Sequence, residues 1–326
     1  MQGAIRGVTL LAVLLLLFEG ATYAAIPSAT LIPSQAETAP VAHGGDAADD
    51  PTIWVNGSNP AQSRIIGNDK KGALNMYRLD GSRVTSLNTG TFWGNSDVRG
   101  NLLAVARGGI KLFNVSASSL TRVGSITTSG EGLCMYRSPT ALYVFIVTRA
   151  GLVRQYEVNA SRTGGGLVRS FNLGSEGEGC AVDDQAQALY ISQEDVALWR
   201  YGANPSDGTT RVAVDTVVPD GRIAPDAEGV AVTGNRVIVS AQRVTAGSKS
   251  YFTAYTRGTN DYVGAFRISN GPDSDDCDRT DGISAYGGYL GPAYPSGLFV
   301  CQDGTNTTPG TSGNQNFKLV PFEPLP

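Results

Sequence analysis

The sequence is poor in the residues that carry much of enzyme chemistry. Its 326 residues include a single histidine, His43, and four cysteines. One imidazole excludes chemistries that need several histidines, such as a His-ligated zinc hydrolase. No two cysteines stand in a C-x-x-C spacing, which argues against a thiolate zinc site. Charged residues are only 17% of the chain and the formal net charge is −4. That balance lacks the basic patch a nucleic-acid binder requires. Long helical periodicity is absent. The one sustained apolar run, Val8–Phe18, is too short to cross a membrane, which takes about 20 apolar residues.

That run follows a single basic residue, Arg6, and precedes the small residues Gly20-Ala21-Thr22-Tyr23-Ala24. This is the pattern of a secretory signal peptide over residues 1–24, cut after Ala24. The expected product is a secreted monomer, extracellular or periplasmic, with residues 25–36 as a linker and a single domain over 37–326. Four cysteines on an exported chain suggest disulfides. Three pairings are open. Cys277–Cys301 is favoured, since both flank acidic loops, and buried free thiols are the alternative.

Glycine is abundant, at 41 residues, and suits many short strands joined by tight turns. A repeat organises them. An acidic residue, often followed by Gly, introduces a short apolar strand six times, at Asp50, Asp97, Glu131, Glu178, Glu228 and Asp281. The intervals are 47, 34, 47, 50 and 53 residues, close to the period of a four-stranded propeller blade. The short interval suggests a clipped second blade. Later in most units comes a strand of period two carrying an aromatic: Tyr77, Phe113, Tyr156, Trp199 and Tyr255. These rings are expected to pack between blades. The fold class that follows is all-β, a six-bladed propeller of four-stranded antiparallel blades around a central channel.

In such a blade the second strand returns antiparallel, so its end lies beside the start of the first. Two rings should meet on one face. One is rich in carboxylates: Asp49, Asp50, Asp97, Glu131, Glu178, Asp226, Glu228 and Asp281. The other is mixed: Lys70, Arg107, Arg149, Glu194 and Asp303. Two carboxylates 4 Å apart repel by about 4 kcal/mol at an effective dielectric of about 20. Such a group must hold protons, Lys/Arg or metal. Acidic ligands without His or Cys favour a hard cation, and calcium takes six to eight oxygens. Cations beside bound calcium suit a phosphate ester.

The chain resembles the β-propeller phytase family. The matching stretches include D-A-A-D-D-P-T-I-W-V (Asp46–Val55), E-G-C-A-V-D-D (Glu178–Asp184), L-Y-I-S-Q-E-D-V-A-L-W (Leu189–Trp199), D-A-E-G (Asp226–Gly229), T-D-G-I (Thr280–Ile283) and N-Q-N-F-K-L-V-P (Asn314–Pro321). They run in family order from about Glu37 to Glu323. The resemblance implies a phosphoric monoester hydrolase of the 3-phytase type, acting on phytate (myo-inositol hexakisphosphate) or its calcium salt. It implies several calcium ions and two neighbouring phosphate sites, one for cleavage and one for affinity. Glu37, Asp49, Asp50, Glu178, Glu194, Asp226, Glu228, Asp275 and Asp281 would hold calcium or position water. Lys70, Lys71, Arg107 and Arg149 would bind phosphate, and Lys70, Arg107, Glu178, Glu194 and Asp281 would carry the chemistry. Glu131 and Arg149-Ala150 depart from the family pattern at the affinity site.

Other phosphatase chemistries lack their residues. His43 is not part of an R-H-G-x-R-x-P motif, and no Cys begins a C-x-x-x-x-x-R loop. His43 is expected as a solvated residue of the N-terminal loop. The competing functions are a non-catalytic calcium-binding extracellular propeller and a calcium-dependent lactonase.

Overall fold

A computed structural model describes residues 27–242, 249–311 and 313–326. The expected signal segment lies outside them, as does Arg243, which the blade repeat places at the end of a second strand on the acidic face. Two short strands come first, β1 (Ala29–Pro33) and β2 (Ala36–Glu37). Sheets then follow one another in chain order. Blade one comprises β3 (Ala48–Trp54), β4 (Arg64–Asp69), β5 (Ala73–Tyr77) and β6 (Arg83–Asn88). Blade two comprises β7 (Ser96–Arg99), β8 (Leu102–Ala106), β9 (Ile110–Val115) and β10 (Leu120–Ile126). Blade three comprises β11 (Gly132–Arg137), β12 (Leu142–Val147), β13 (Leu152–Val158) and β14 (Gly165–Asn172). Blade four comprises β15 (Gly177–Asp183), β16 (Ala188–Gln193), β17 (Ala197–Gly202) and β18 (Arg211–Thr216). Blade five comprises β19 (Ala227–Thr233), β20 (Arg236–Ala241), β21 (Tyr251–Thr256) and β22 (Tyr262–Ser269). The last blade has β23 (Ile283–Tyr286), β24 (Leu298–Asp303) and β25 (Asn316–Pro321). Among the described residues there is no α-helix, only a 3-10 turn at Pro60–Gln62.

The sixth blade lacks a fourth strand of its own, and the N-terminus supplies it: β2 pairs antiparallel with β25, Glu37 opposite Lys318. Just before it, β1 adds to blade five parallel to β22, from Ala29 opposite Ala265 to Pro33 opposite Ser269. The stretch expected as a linker therefore contains a sheet strand. Blade two keeps all four strands. Its short repeat interval comes from a four-residue inner strand and tight connections.

Among the described residues each seam between neighbouring blades holds one apolar cluster. The third-strand aromatics sit in them as expected. Tyr77 packs with Leu298 and Phe317 between blades one and six, and Tyr156 with Leu102 and Leu112 between blades two and three. Two disulfides add covalent ties: Cys134–Cys180 joins β11 to β15, and Cys277–Cys301 joins the loop before β23 to β24. No free cysteine remains.

The acid-Gly repeat has two physical causes. In β3, β15 and β19 the pairing slips between Ala48 and Pro51, between Gly177 and Cys180, and between Ala227 and Val230. Each bulge carries an acidic residue and re-aims its side chain. The glycines let the inner strands meet around the channel. A Cβ at Gly229 would lie 2.8 Å from Asp281 O, and one at Gly282 only 1.9 Å from Asp50 Oδ1.

Candidate metal and phosphate site

The bulged ends of the inner strands open into a cavity of about 940 Å³. Its wall includes Asp46, Asp49, Asp50, Glu131, Glu176, Glu178, Glu194, Asp226, Glu228, Asp278 and Asp281, with the cations Lys70, Arg149, Lys249 and Arg279. Among the described residues no Ser, Thr, Cys or His lines it.

Local structure aims each group. Asn68, at the end of β4, accepts from Asp50 N at 2.7 Å and donates to Asp49 Oδ2 at 3.4 Å, which holds the bulge of β3. Gln302 on β24 accepts from Asp281 N at 2.9 Å, and Gln242 donates to the Asp281 carboxylate. Asp226 is buried and adopts φ 59°, a left-handed conformation that aspartate tolerates better than most residues. Such strain gathers at sites where geometry must be imposed.

Two groups of three carboxylates come together: Glu176, Glu178 and Glu194, and Glu194, Asp226 and Glu228. Within each group one oxygen per residue lies within 4.8 Å of the others, and Glu194 belongs to both. Burial, reinforced by neighbouring carboxylates, raises Asp50 and Glu228 well above the usual carboxylate range. Burial likewise lifts Glu178 to about 8, against the pull of Arg149, and Glu194 to about 7. Asp281 is pushed up to about 7, by burial and then by Asp49, against the pull of Lys70. Without a cation these groups retain protons, and with a divalent ion they need not. The donor set is oxygen only, which suits calcium.

Lys70 enters from the end of β4. Its Nζ lies 2.8 Å from Asp46 Oδ1, 3.3 Å from Asp281 Oδ2 and 3.8 Å from Asp49 Oδ1. Burial disfavours the ammonium, but Asp49, Asp281 and Asp46 outweigh it and its pKa rises. Across the cavity, Arg149 Nε lies 3.0 Å from Glu131 Oε2.

Several expected members lie elsewhere. Arg107 does not line the cavity. Its guanidinium stacks 4.5 Å from the Trp93 ring centroid, and its Nε donates to Thr91 Oγ1 at 2.9 Å. Lys71 points outward and donates to Gly44 O at 2.6 Å. Glu37 and Asp275 form a separate buried cluster around Lys318, whose ammonium lies 2.6 Å from Glu37 Oε2, 3.1 Å from Asp303 Oδ2 and in contact with Asp275. There Asp275 is held down to about 2: burial opposes ionisation, but Lys318 and Thr307 overcome it. A lysine ammonium thus sits among the carboxylates where a metal was expected. Asp97 also leaves the ring. β7 has no bulge, and its carboxylate turns to Met135 N at 2.8 Å and to Arg99 at 2.9 Å. His43 is not simply solvated, since its Nδ1 lies 2.8 Å from the buried Asp69 Oδ2.

Glu176, Lys249 and Arg279 were not anticipated. Glu176 had a signal: Glu176-Gly177-Glu178-Gly179 matches Asp226-Ala227-Glu228-Gly229 in the next blade, acid-x-Glu-Gly in both.

The phytase family model matches residues 6–121 and 101–326. A curated relative named 3-phytase, from Bacillus subtilis (strain 168), is 33% identical over 327 residues, 90% of this chain and 84% of that protein. The computationally designed protein Ika8 superposes with TM-score 0.43 and 9% identity, covering 83% of this chain and 70% of that one. The two sequence matches span nearly the whole chain, and the chain belongs to the phytase family.

Proposed function

We propose that the cavity hydrolyses phosphate monoesters of myo-inositol hexakisphosphate in a secreted, calcium-dependent reaction. The observation that carries this reading is Glu194, shared by two carboxylate groups of one cavity whose wall also holds Lys70. The family relationship supplies the substrate class.

Glu176, Glu178, Glu194, Asp226 and Glu228 would hold calcium, with Asp49, Asp50 and Asp281 in the same cavity. Calcium bound there supplies Lewis acidity, which polarises phosphoryl oxygens and lowers the pKa of water. Lys70 binds a phosphoryl oxygen and offsets the charge that builds on it in the transition state. Its position is set by Asp46, Asp49 and Asp281. The nucleophile in this reading is a water, and among the described residues the wall carries no Ser, Thr, Cys or His. Water oxygen forms the new bond to phosphorus as the ester oxygen leaves with the inositol ring. A cavity carboxylate takes the water's proton and passes it to the leaving oxygen.

The test is phosphate release from phytate with calcium, with a chelator, and with calcium restored. Release should vanish and return. Release that survives chelation refutes calcium dependence, and none under any condition refutes the activity.

A further inference from the structure

Among the described cavity-lining cations, Arg279 alone has no carboxylate partner for its side chain. Lys70 pairs with Asp46, Asp49 and Asp281, Arg149 with Glu131, and Lys249 with Asp276. The Arg279 side chain is exposed on the same wall. Its backbone is unusual too, with φ 50° in the left-handed region, where a long side chain is disfavoured.

The surrounding structure imposes that conformation. Asp278 Oδ1 accepts from Arg279 N at 2.9 Å and from Ser250 N at 3.1 Å. Asp303 Oδ1 accepts from Asp278 N at 3.2 Å, and Gly304 N donates to Asp278 O at 2.7 Å. Gly304 is pressed close, since a Cβ there would lie 2.8 Å from Arg279 Cβ. Two loops therefore clamp the turn and hold Arg279 at the cavity wall, two residues before Asp281. Strain retained at a site wall calls for a function there. A planar guanidinium with free donors, in a cavity otherwise dominated by carboxylates, matches a second phosphate group.

The geometry points to Arg279 as a substrate-binding residue that takes a second phosphate of a polyphosphorylated ligand while the scissile phosphate lies at Lys70. This rests on the reading of the cavity as a phosphomonoesterase site and adds one substrate-binding residue to it. It places a second phosphate contact on blade six, away from Arg149, which Glu131 already engages.

The test is calorimetric binding of myo-inositol hexakissulfate, which this chemistry does not hydrolyse, to the calcium-loaded full chain. The chains compared are wild type, R279G, R279K and R162G. Arg162 is also left-handed, at φ 60°, and lies on an exposed outer turn, so R162G matches the loss of charge and the backbone change. Glycine suits both backbones, so neither change should impair folding. Affinity should fall about tenfold in R279G, partly recover in R279K and stay unchanged in R162G. Inorganic phosphate should lose less than twofold in R279G. Equal hexasulfate affinity for wild type and R279G, or an equal loss in R162G, overturns the role of Arg279, as does a wild type that binds no hexasulfate. Phytate turnover by the wild type is scored separately. Its absence counts against the phosphatase reading, whereas turnover with an unchanged KM in R279G counts against Arg279 alone.

Discussion

Lys70 Nζ lies 3.3 Å from Asp281 Oδ2, a contact that joins the first blade to the sixth across the seam where the ring closes. The lysine follows β4 and the aspartate precedes β23, so the pair forms only in the closed ring. It links the proposed phosphate-binding cation directly to the carboxylate wall.

Removing either partner should affect catalysis differently. In K70A the transition state loses its cation and kcat for phytate should fall about 100-fold or more. In D281N the ammonium keeps Asp46 and Asp49 but the cavity loses a carboxylate, so calcium should also bind more weakly. Steady-state kinetics across a calcium series separates the two. Near-normal turnover in both variants would place the chemistry elsewhere.

Glu194 belongs to both carboxylate groups, whereas Glu176 belongs to one. E194Q should therefore reduce calcium stoichiometry or affinity more than E176Q does. Calorimetric titration of calcium into chelator-treated protein measures this. Equal effects would show that Glu194 is not shared in solution.

Burial, more than any neighbouring charge, lifts Glu178, Glu194 and Asp281 to about 8, 7 and 7. In the unfolded chain such groups titrate near 4. The folded calcium-free protein therefore holds more protons than the unfolded chain between these limits. Its stability is greatest below about pH 4 as far as these groups are concerned, and falls as pH rises through 7 to 8. Thermal melts in chelator should show Tm dropping from pH 5 to pH 8.5, with calcium flattening the trend. Calcium binding at pH 7 should release protons, read by calorimetry in buffers of different ionisation enthalpy. A rising Tm in chelator over that range would contradict the burial argument.

Lys318 is fully buried and surrounded by Glu37, Asp275 and Asp303. K318M would leave these carboxylates facing one another without a cation. Breaking a buried ionic cluster in this way costs about 3–5 kcal/mol. Urea unfolding in the presence of calcium should show a loss of that order. A loss below about 1 kcal/mol would mean that another cation fills the gap.

The architecture was legible because it repeats. Six acidic residues opening six short strands declare the blades, and the ring places their ends together. The bulges were not legible, and they re-aim the acids of β3, β15 and β19. Asp97 looks like Glu228 in one dimension, but β7 lacks the slip that turns Glu228 inward. Arg107 and Lys71 carry the right charge at the right strand end, yet Trp93 and Gly44 hold them outside the wall. Those contacts depend on loops whose course no periodicity encodes. Lys318 was hidden for a different reason. It reads as one polar position in an alternating strand, and only the pairing of β25 with β2 brings it beside Glu37.

That pairing orders events in time. The outer edge of the sixth blade is synthesised before the strands of any of the six blades, and it has no partner until β25 follows. A nascent or C-terminally shortened chain would present β2 as an unmatched edge and lack Lys318 to neutralise Glu37 and Asp275. Closure of the ring therefore waits for β25, and the closed ring is what brings Lys70 to Asp281.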